Sequence, residues 1–231
     1  MHLPAASIHV FPSFLSSSSC ISLLVSCSVL SNWTSSQTSH ANFSTKDISL
    51  LDHTSLMEQF NSTDVYDKIE EAYKMIPSRS NGRTNARSPL SFLDLFVVKY
   101  TAGDFDELNM HRDGSLISFT LPLSEEHEGG GTTFECLQDD GDDHDRVLVH
   151  GVNTDWGEVK NGTVHARAGT LVVHSGKMMH GGGKVTKNNR YVLVGFLHVE
   201  SKDEDMFRLC KRLARFDAPE KRGYSAEDLL P

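Results

Sequence analysis

The spacing of hydrophobic positions changes along the chain, and this change predicts where a β-sheet begins. In the segment 46–92, Val65, Ile69, Ala72 and Ile76 recur at intervals of three or four residues, which is typical of a helix. From residue 93 onwards, short runs rich in β-branched and aromatic residues follow one another, separated by clusters of Gly, Asp and Asn. These runs are predicted strands at 93–100, 115–123, 132–137, 146–149, 170–174 and 190–199.

Many short strands without intervening helices indicate an antiparallel sandwich or barrel. A capping box at residues 201–204 then predicts an amphipathic closing helix, because apolar residues recur on one face after it. The predicted fold is therefore mainly β with flanking α-helices.

The first 45 residues differ from the rest, because they contain no Lys, Arg, Asp or Glu and 14 serines. Such a segment is poorly suited to form a packed core of its own, so we predict a Ser-rich leader or targeting segment without stable structure. The apolar run at 20–30 fits a secretory signal, but the basic region that should precede it is missing, so a transit peptide or a mispredicted start stays open. Four glycosylation sequons favour the secretory pathway or endoplasmic reticulum lumen over another organelle or the cytoplasm: Asn32, Asn42, Asn61 and Asn161.

The predicted organisation is thus a leader (1–45), a helical lead-in (46–92), a β core (93–199) and a C-terminal helix with a tail (200–231).

The composition excludes two classes of function. Lys and Arg number 22 against 31 Asp and Glu, and a net charge of −9 argues against a nucleic-acid-binding protein, which needs a basic face. The longest apolar run has 11 residues, too few for an integral membrane segment. Nine acidic residues and no basic one lie between residues 125 and 145, which indicates a solvated loop or a field that attracts a basic substrate. Whether Cys136 and Cys210 pair is open, since two cysteines form no disulfide framework.

Histidine suggests a site: 8 of the 12 lie between residues 111 and 198. In His111-Arg112-Asp113, two potential ligands two residues apart project to the same side of an extended chain. Two histidines and one carboxylate leave three positions open on a metal, as in non-haem Fe(II) oxygenases. The second histidine must come from further along the chain, where the candidates are His165, His174, His180 and His198.

Arg190 favours His180 among these candidates, because it follows ten residues later and opens a predicted strand. Period two puts Arg190 on the same face as Val192, Val194 and Phe196, and a cation on an apolar inward face is costly to bury without a carboxylate. A small dicarboxylate would supply that partner, with one end on the metal and the other on the guanidinium. Lys187 is the reserve candidate.

Five motifs occur in order: LFVVKYTAG at 95–103, HRD at 111–113, EGGGTTF at 128–134, AGTLVVHSGKMMH at 168–180 and NNRYVLVGF at 188–196. This series resembles the Fe(II)/2-oxoglutarate dioxygenases of the prolyl 4-hydroxylase and procollagen-lysyl hydroxylase type, over about residues 93 to 199. The segment 138–160 departs from the family as an apparent insertion.

The resemblance implies a double-stranded β-helix, or jelly roll, in which His111, Asp113 and His180 bind Fe(II). Arg190 would bind the distal carboxylate of the co-substrate 2-oxoglutarate, and Tyr100 would donate a hydrogen bond to it. The implied activity is an oxidoreductase that hydroxylates a peptidyl (prolyl or lysyl) or related substrate with release of succinate and CO2, with L-ascorbate keeping the iron reduced.

Two alternatives belong to other classes. A non-catalytic jelly roll that binds a metal or ligand would have no need to keep the three ligands and the buried arginine together. A zinc hydrolase would use the histidines but would leave Arg190 without a role.

Overall fold

The structure is a computed structural model, which describes residues 7–30, 33, 46–61, 65, 67–69, 90–115, 117–138, 146–151 and 155–199. The predicted closing helix and Cys210 lie outside these residues, as does most of the predicted helix after Ile69. None of the described helices is long and apolar enough to span a membrane.

The larger of two main sheets has seven strands in the described residues. In chain order they are β1 (Ile8–Phe11), β2 (Lys46–Ser49), β3 (Leu90–Thr101), β5 (Ile117–Pro122), β8 (Val147–Val149), β11 (Leu171–Ser175) and β14 (Asn189–Val199). Their spatial order is β2-β3-β14-β5-β11-β1-β8. Every pair is antiparallel except β1 with β8.

The smaller sheet has five described strands, in the order β4-β12-β7-β10-β9. They are β4 (Leu108–His111), β7 (Thr132–Phe134), β9 (Gly157–Lys160), β10 (Thr163–Ala166) and β12 (His180–Gly182). Strands β6 (Glu128–Gly129) and β13 (Val185–Lys187) form a separate two-stranded antiparallel sheet. This arrangement is the jelly roll that the resemblance predicts.

Each of the six predicted strands overlaps an observed one. The run predicted at 132–137 is shorter than expected, because the chain leaves β7 at Phe134 and forms a 3-10 turn over Glu135–Leu137. The strands that were not predicted have two to four residues each, too few for an alternating pattern to stand out.

The N-terminal segment corrects a prediction, because part of residues 1–45 belongs to the folded core. β1 lies between β11 and β8 and is fully buried, and helix α1 (Ser17–Val29) follows it. Ser16 caps α1 by accepting a hydrogen bond from the Ser19 amide. Cys20, Leu23 and Cys27 lie one turn apart and face the core. An uncharged Ser-rich segment is therefore stabilised here by packing against the rest of the chain rather than by a core of its own.

The predicted helical lead-in is only partly helical. It begins with strand β2, which pairs with β3, and helix α2 (Thr54–Asn61) follows. Leu56 and Phe60 of α2 are buried against the same core as α1, and so are Val65 and Ile69 of the predicted helix.

The apparent insertion 138–160 supplies structure to both sheets. Its strand β8 extends the larger sheet beyond β1, and β9 forms a hairpin with β10 in the smaller one. A cavity remains between the two sheets, near the ends of β3 and β4 and the starts of β12 and β14.

Candidate metal and co-substrate site

A cavity of about 110 Å³ opens between the two sheets. The larger sheet contributes apolar side chains together with Tyr100 and Arg190, and the smaller sheet contributes His111 and His180. Residues that line the cavity include Phe96, Val98, Tyr100, His111, Asp113, Ser118, Thr132, His174, His180, Gly182, Arg190, Val192 and Val194.

Three of the predicted ligands meet at one end of this cavity. His111 and His180 are directly opposite each other on the paired strands β4 and β12, so their rings lie 4.6 Å apart between centroids. Asp113 follows β4, with one carboxylate oxygen 3.3 Å from Nε2 of His111 and the other 3.6 Å from Nε2 of His180. One ligand atom from each residue lies within 4.8 Å of the others, and no other such group of His, Cys, Asp and Glu occurs in the described residues.

The hydrogen bonds of the two histidines orient the ring nitrogens for a metal. Nδ1 of His111 donates to the carbonyl oxygen of Asn109, and Nδ1 of His180 donates to that of Met178, both at 2.8 Å. Because a neutral imidazole carries one proton, Nε2 is the atom that each ring can offer to a metal, and on His111 it becomes free once the proton shared with Asp113 is lost. Ser118 donates a hydrogen bond to that carboxylate. Two imidazole nitrogens and a carboxylate fit Fe(II) and the other divalent metals of the transition series.

The electrostatics of this cluster keep a negative charge on Asp113. Burial alone would raise the pKa of the Asp113 carboxyl, but the neighbouring His180, with hydrogen bonds from His111 and Ser118, holds it well below its usual range. Burial lowers the pKa of His180, so this ring stays neutral. Burial would also lower the pKa of His111, yet its hydrogen bond to Asp113 raises it above the ordinary value. A metal would therefore meet an ionised carboxylate and would displace a proton mainly from His111.

Arg190 and Tyr100 are directly opposite each other on the paired strands β14 and β3. Both are buried, with 3% and 6% of their surfaces exposed, and the guanidinium carbon lies 5.3 Å from the centre of the phenol ring. No carboxylate among the described residues forms an ion pair with Arg190, and burial lowers its pKa. Burial raises the pKa of Tyr100, so its hydroxyl keeps its proton and can donate. The cavity thus ends in an unpaired cation and a neutral donor, a suitable site for a carboxylate.

The remaining sequence candidates lie elsewhere. His165 lines a second cavity of about 420 Å³, which also touches His127 and Arg190, and His198 is located near the far end of β14. Lys187, the reserve for Arg190, is exposed and pairs with Glu128 at 2.7 Å. The described residues of the segment 138–160 do not line the first cavity.

His174 is a separate case, because it lines the first cavity without joining the cluster. It is completely buried, and its ring centroid lies 4.6 Å from that of His180. Its Nδ1 hydrogen-bonds to the carbonyl oxygen of Ser175, and burial lowers its pKa to about 3.

Sequence reasoning missed Ser118, whose hydroxyl holds the carboxylate of Asp113. The signal was present: in β5, Ser118 and Thr120 alternate with Ile117, Phe119 and Leu121, which pack in the main core. Period two therefore placed a hydroxyl on the opposite face, toward the cavity.

Comparison with known proteins agrees with this architecture. No protein-family profile matches the sequence, and no curated protein matches it significantly. Solved structures do match. A prolyl-4-hydroxylase from Pseudomonas putida has a TM-score of 0.55 at 16% identity, covering 84% of this chain and 94% of its own. The viral collagen prolyl hydroxylase vCPH of Paramecium bursaria Chlorella virus-1, in its 2OG complex, has a TM-score of 0.53 at 13% identity, covering 84% and 96%.

A third similar structure binds a small molecule. HygX from Streptomyces hygroscopicus, with nickel, 2-oxoglutarate and hygromycin B bound, has a TM-score of 0.52 at 15% identity, covering 86% of this chain and 85% of its own. At such low identities the likeness establishes the fold. The chain has the fold of viral and bacterial prolyl hydroxylases and other 2OG-Fe(II) oxygenases, as its motifs predict.

Proposed function

We propose that this chain is an Fe(II)- and 2-oxoglutarate-dependent dioxygenase that hydroxylates a peptidyl (prolyl or lysyl) or related substrate. The observation that carries the proposal is Arg190: a buried cation without a carboxylate partner among the described residues, in the same cavity as two histidines and an ionised aspartate. Burying such a charge is costly unless a ligand pairs with it.

In this proposal His111, Asp113 and His180 hold the iron, and Arg190 and Tyr100 hold the distal carboxylate of 2-oxoglutarate. Bound iron would supply the oxygen chemistry, with succinate and CO2 as the products from the co-substrate. The protein itself would orient the ligands of the iron and shield the reaction from water. The two backbone carbonyls fix the imidazole rings, and the apolar side chains of Phe96, Val98, Val192 and Val194 keep water from the space between the cluster and Arg190.

The likeness to oxygenases that act on collagen-type or small-molecule substrates supports the reaction class rather than one substrate. Prolyl and lysyl side chains within a peptide are our first candidates because the sequence motifs resemble those two hydroxylases. L-Ascorbate is proposed as the reductant for the same reason.

A cavity that merely bound a metal would give a different result from an enzyme, and two measurements separate them. Iron-loaded protein with 2-oxoglutarate and without oxygen should show a visible charge-transfer band, because a 2-oxo acid chelates iron through its 1-carboxylate and 2-oxo groups. With oxygen and ascorbate, succinate should form, and a panel of proline-rich and lysine-rich peptides should increase its yield. Folded, iron-loaded protein that gives neither the band nor succinate would contradict the proposal.

A further inference from the structure

Two glycines pack against the two side chains that we assign to the distal carboxylate. A β-carbon at Gly130 would lie 2.7 Å from Cδ of Arg190 and 3.3 Å from its Nε. A β-carbon at Gly182 would lie 3.0 Å from the hydroxyl oxygen of Tyr100 and 3.1 Å from both Cε1 of its ring and Cβ of Leu108. Non-bonded carbon atoms stay about 3.5–4.0 Å apart, so a methyl group at either glycine would displace the side chain that it meets.

The backbone at both glycines is held in place, so the side chain has to move instead. The Gly130 amide donates to the carbonyl oxygen of Lys184 at 2.8 Å, and the Gly183 amide donates to that of Gly131 at 3.1 Å. Gly182 is a member of β12 and pairs with Thr132 on one side and Leu108 on the other. The turn at 129–131 and the strand β12 thus form one rigid wall beside Arg190 and Tyr100.

We propose that Gly130 and Gly182 are positioning residues for the co-substrate. The lack of a β-carbon at these two positions lets Arg190 and Tyr100 occupy the places from which they reach a dicarboxylate whose other end is on the metal. The inference rests on the proposed function and adds to it two residues outside the metal cluster.

The test is 2-oxoglutarate affinity in the full chain, with Mn(II) in place of Fe(II) and without oxygen, measured by titration calorimetry. Gly130→Ala and Gly182→Ala should each weaken 2-oxoglutarate by about tenfold or more, since small misplacements of anchoring groups have large effects. Affinity for Mn(II) alone should stay at the parental value, because neither glycine contacts the cluster. In turnover, the KM for 2-oxoglutarate should rise while kcat at saturation is retained.

Gly103→Ala is the matched control for Gly130→Ala. The φ angles of Gly103 and Gly130 are +78° and +77°, so alanine meets the same backbone strain at both, but a β-carbon at Gly103 has no heavy atom within 4 Å. Gly103→Ala should therefore bind 2-oxoglutarate as the parent does. Gly182 has no positive φ, so Gly182→Ala carries the test if strain unfolds the Gly130 variant.

Three results would overturn the inference: parental 2-oxoglutarate affinity in folded Gly182→Ala and Gly130→Ala, equal losses in Gly103→Ala and Gly130→Ala, or a parallel loss of Mn(II) affinity. Failure of the proposed function looks different, because the parent protein with Mn(II) would then bind no 2-oxoglutarate at all, and both proposals would be abandoned.

Discussion

The rings of His174 and His180 are neighbours, and each donates a hydrogen bond from Nδ1 to a backbone carbonyl oxygen, yet only His180 belongs to the cluster with His111 and Asp113. His180→Ala should therefore weaken Fe(II) or Mn(II) binding by more than about 100-fold. His174→Ala should weaken it less, by no more than about 10- to 100-fold, the range expected for a residue behind the ligands. Titration calorimetry or competition with a chelating dye measures both. Equal losses in the two folded variants would force reassignment of the distal ligand.

The raised pKa of His111 predicts how metal binding depends on pH. An imidazole must lose its proton to bind a metal. Burial would lower the pKa of His111, but the hydrogen bonds to Asp113 and Asn109 raise this pKa above the ordinary value of 6.5. Metal affinity should therefore fall as the pH decreases through the neutral range, while His180, with its lowered pKa, contributes little there.

Calorimetry in buffers of different ionisation enthalpy checks this expectation. Near neutral pH the parent should release up to about one proton for each metal ion bound. An affinity that stays constant between roughly pH 6 and 8 would show that His111 is already neutral or is no ligand.

Among the elements, α1 carries the clearest stability prediction because it lies in the segment that the sequence predicts to be without structure. Leu23 is 4% exposed in the core, whereas Val25 on the opposite face is 57% exposed. Leu23→Ala should lower the free energy of unfolding by about 2–5 kcal/mol. Val25→Ala, as the control in the same helix, should change it by about 0.5 kcal/mol or less. Urea denaturation distinguishes a core helix from a dispensable leader, for which both substitutions would be neutral.

Sequence patterns predicted the strands of the larger sheet best where those strands are long. β3 and β14 have 12 and 11 residues, so their alternation is clear and correctly placed Arg190 and Tyr100 on cavity-facing positions. β4 and β12 have four and three residues, and their pairing brings His111 opposite His180. No local pattern reveals such a pairing, because it depends on the whole jelly roll. The position of Arg190 ten residues after His180, together with the family resemblance, pointed to these two histidines.

The packing of β1 and α1 could not be predicted from composition for a related reason. Serine-rich, uncharged sequence usually indicates a segment without a core. Here the apolar partners come from strands more than 130 residues later, so the burial of Ile8 and Val10 depends on tertiary contacts. The contacts of Gly130 and Gly182 are likewise visible only in three dimensions, since a glycine's neighbours in space leave no trace in the adjacent sequence.

Over the whole molecule, the proposed ligands and anchors divide between the two sheets. The metal cluster is located on the smaller sheet and its connection, whereas Tyr100 and Arg190 belong to the larger sheet. A dicarboxylate that spans the cavity would therefore tie the sheets together. We expect 2-oxoglutarate with Mn(II) to stabilise the fold beyond Mn(II) alone, by about 2.7 kcal/mol at a concentration 100 times its Kd.

Arg190→Ala is the variant that tests this linkage. It should weaken 2-oxoglutarate by about 2–5 kcal/mol, as for the loss of one partner of a buried charge pair, and should abolish the extra thermal stabilisation while leaving that from Mn(II) alone. Lys187→Ala is the control, because Lys187 lies on the surface in an ion pair with Glu128. A parental thermal shift in Arg190→Ala would contradict the assignment.

β1 is synthesised well before its neighbours in the sheet. His9 is opposite Leu148 of β8 and Val173 of β11, so these partners of the strand are absent until the chain has been made as far as residues 147–149. Contacts that distant in sequence form slowly, and until then an apolar strand remains open to pairing with other chains. Arrested nascent chains that end before residue 147 should therefore be cleaved by protease within residues 7–30, whereas full-length chains should be protected there. The larger sheet would thus be completed only after β8 and β11 have been synthesised. Before that point β1 is exposed, and a chaperone can bind it.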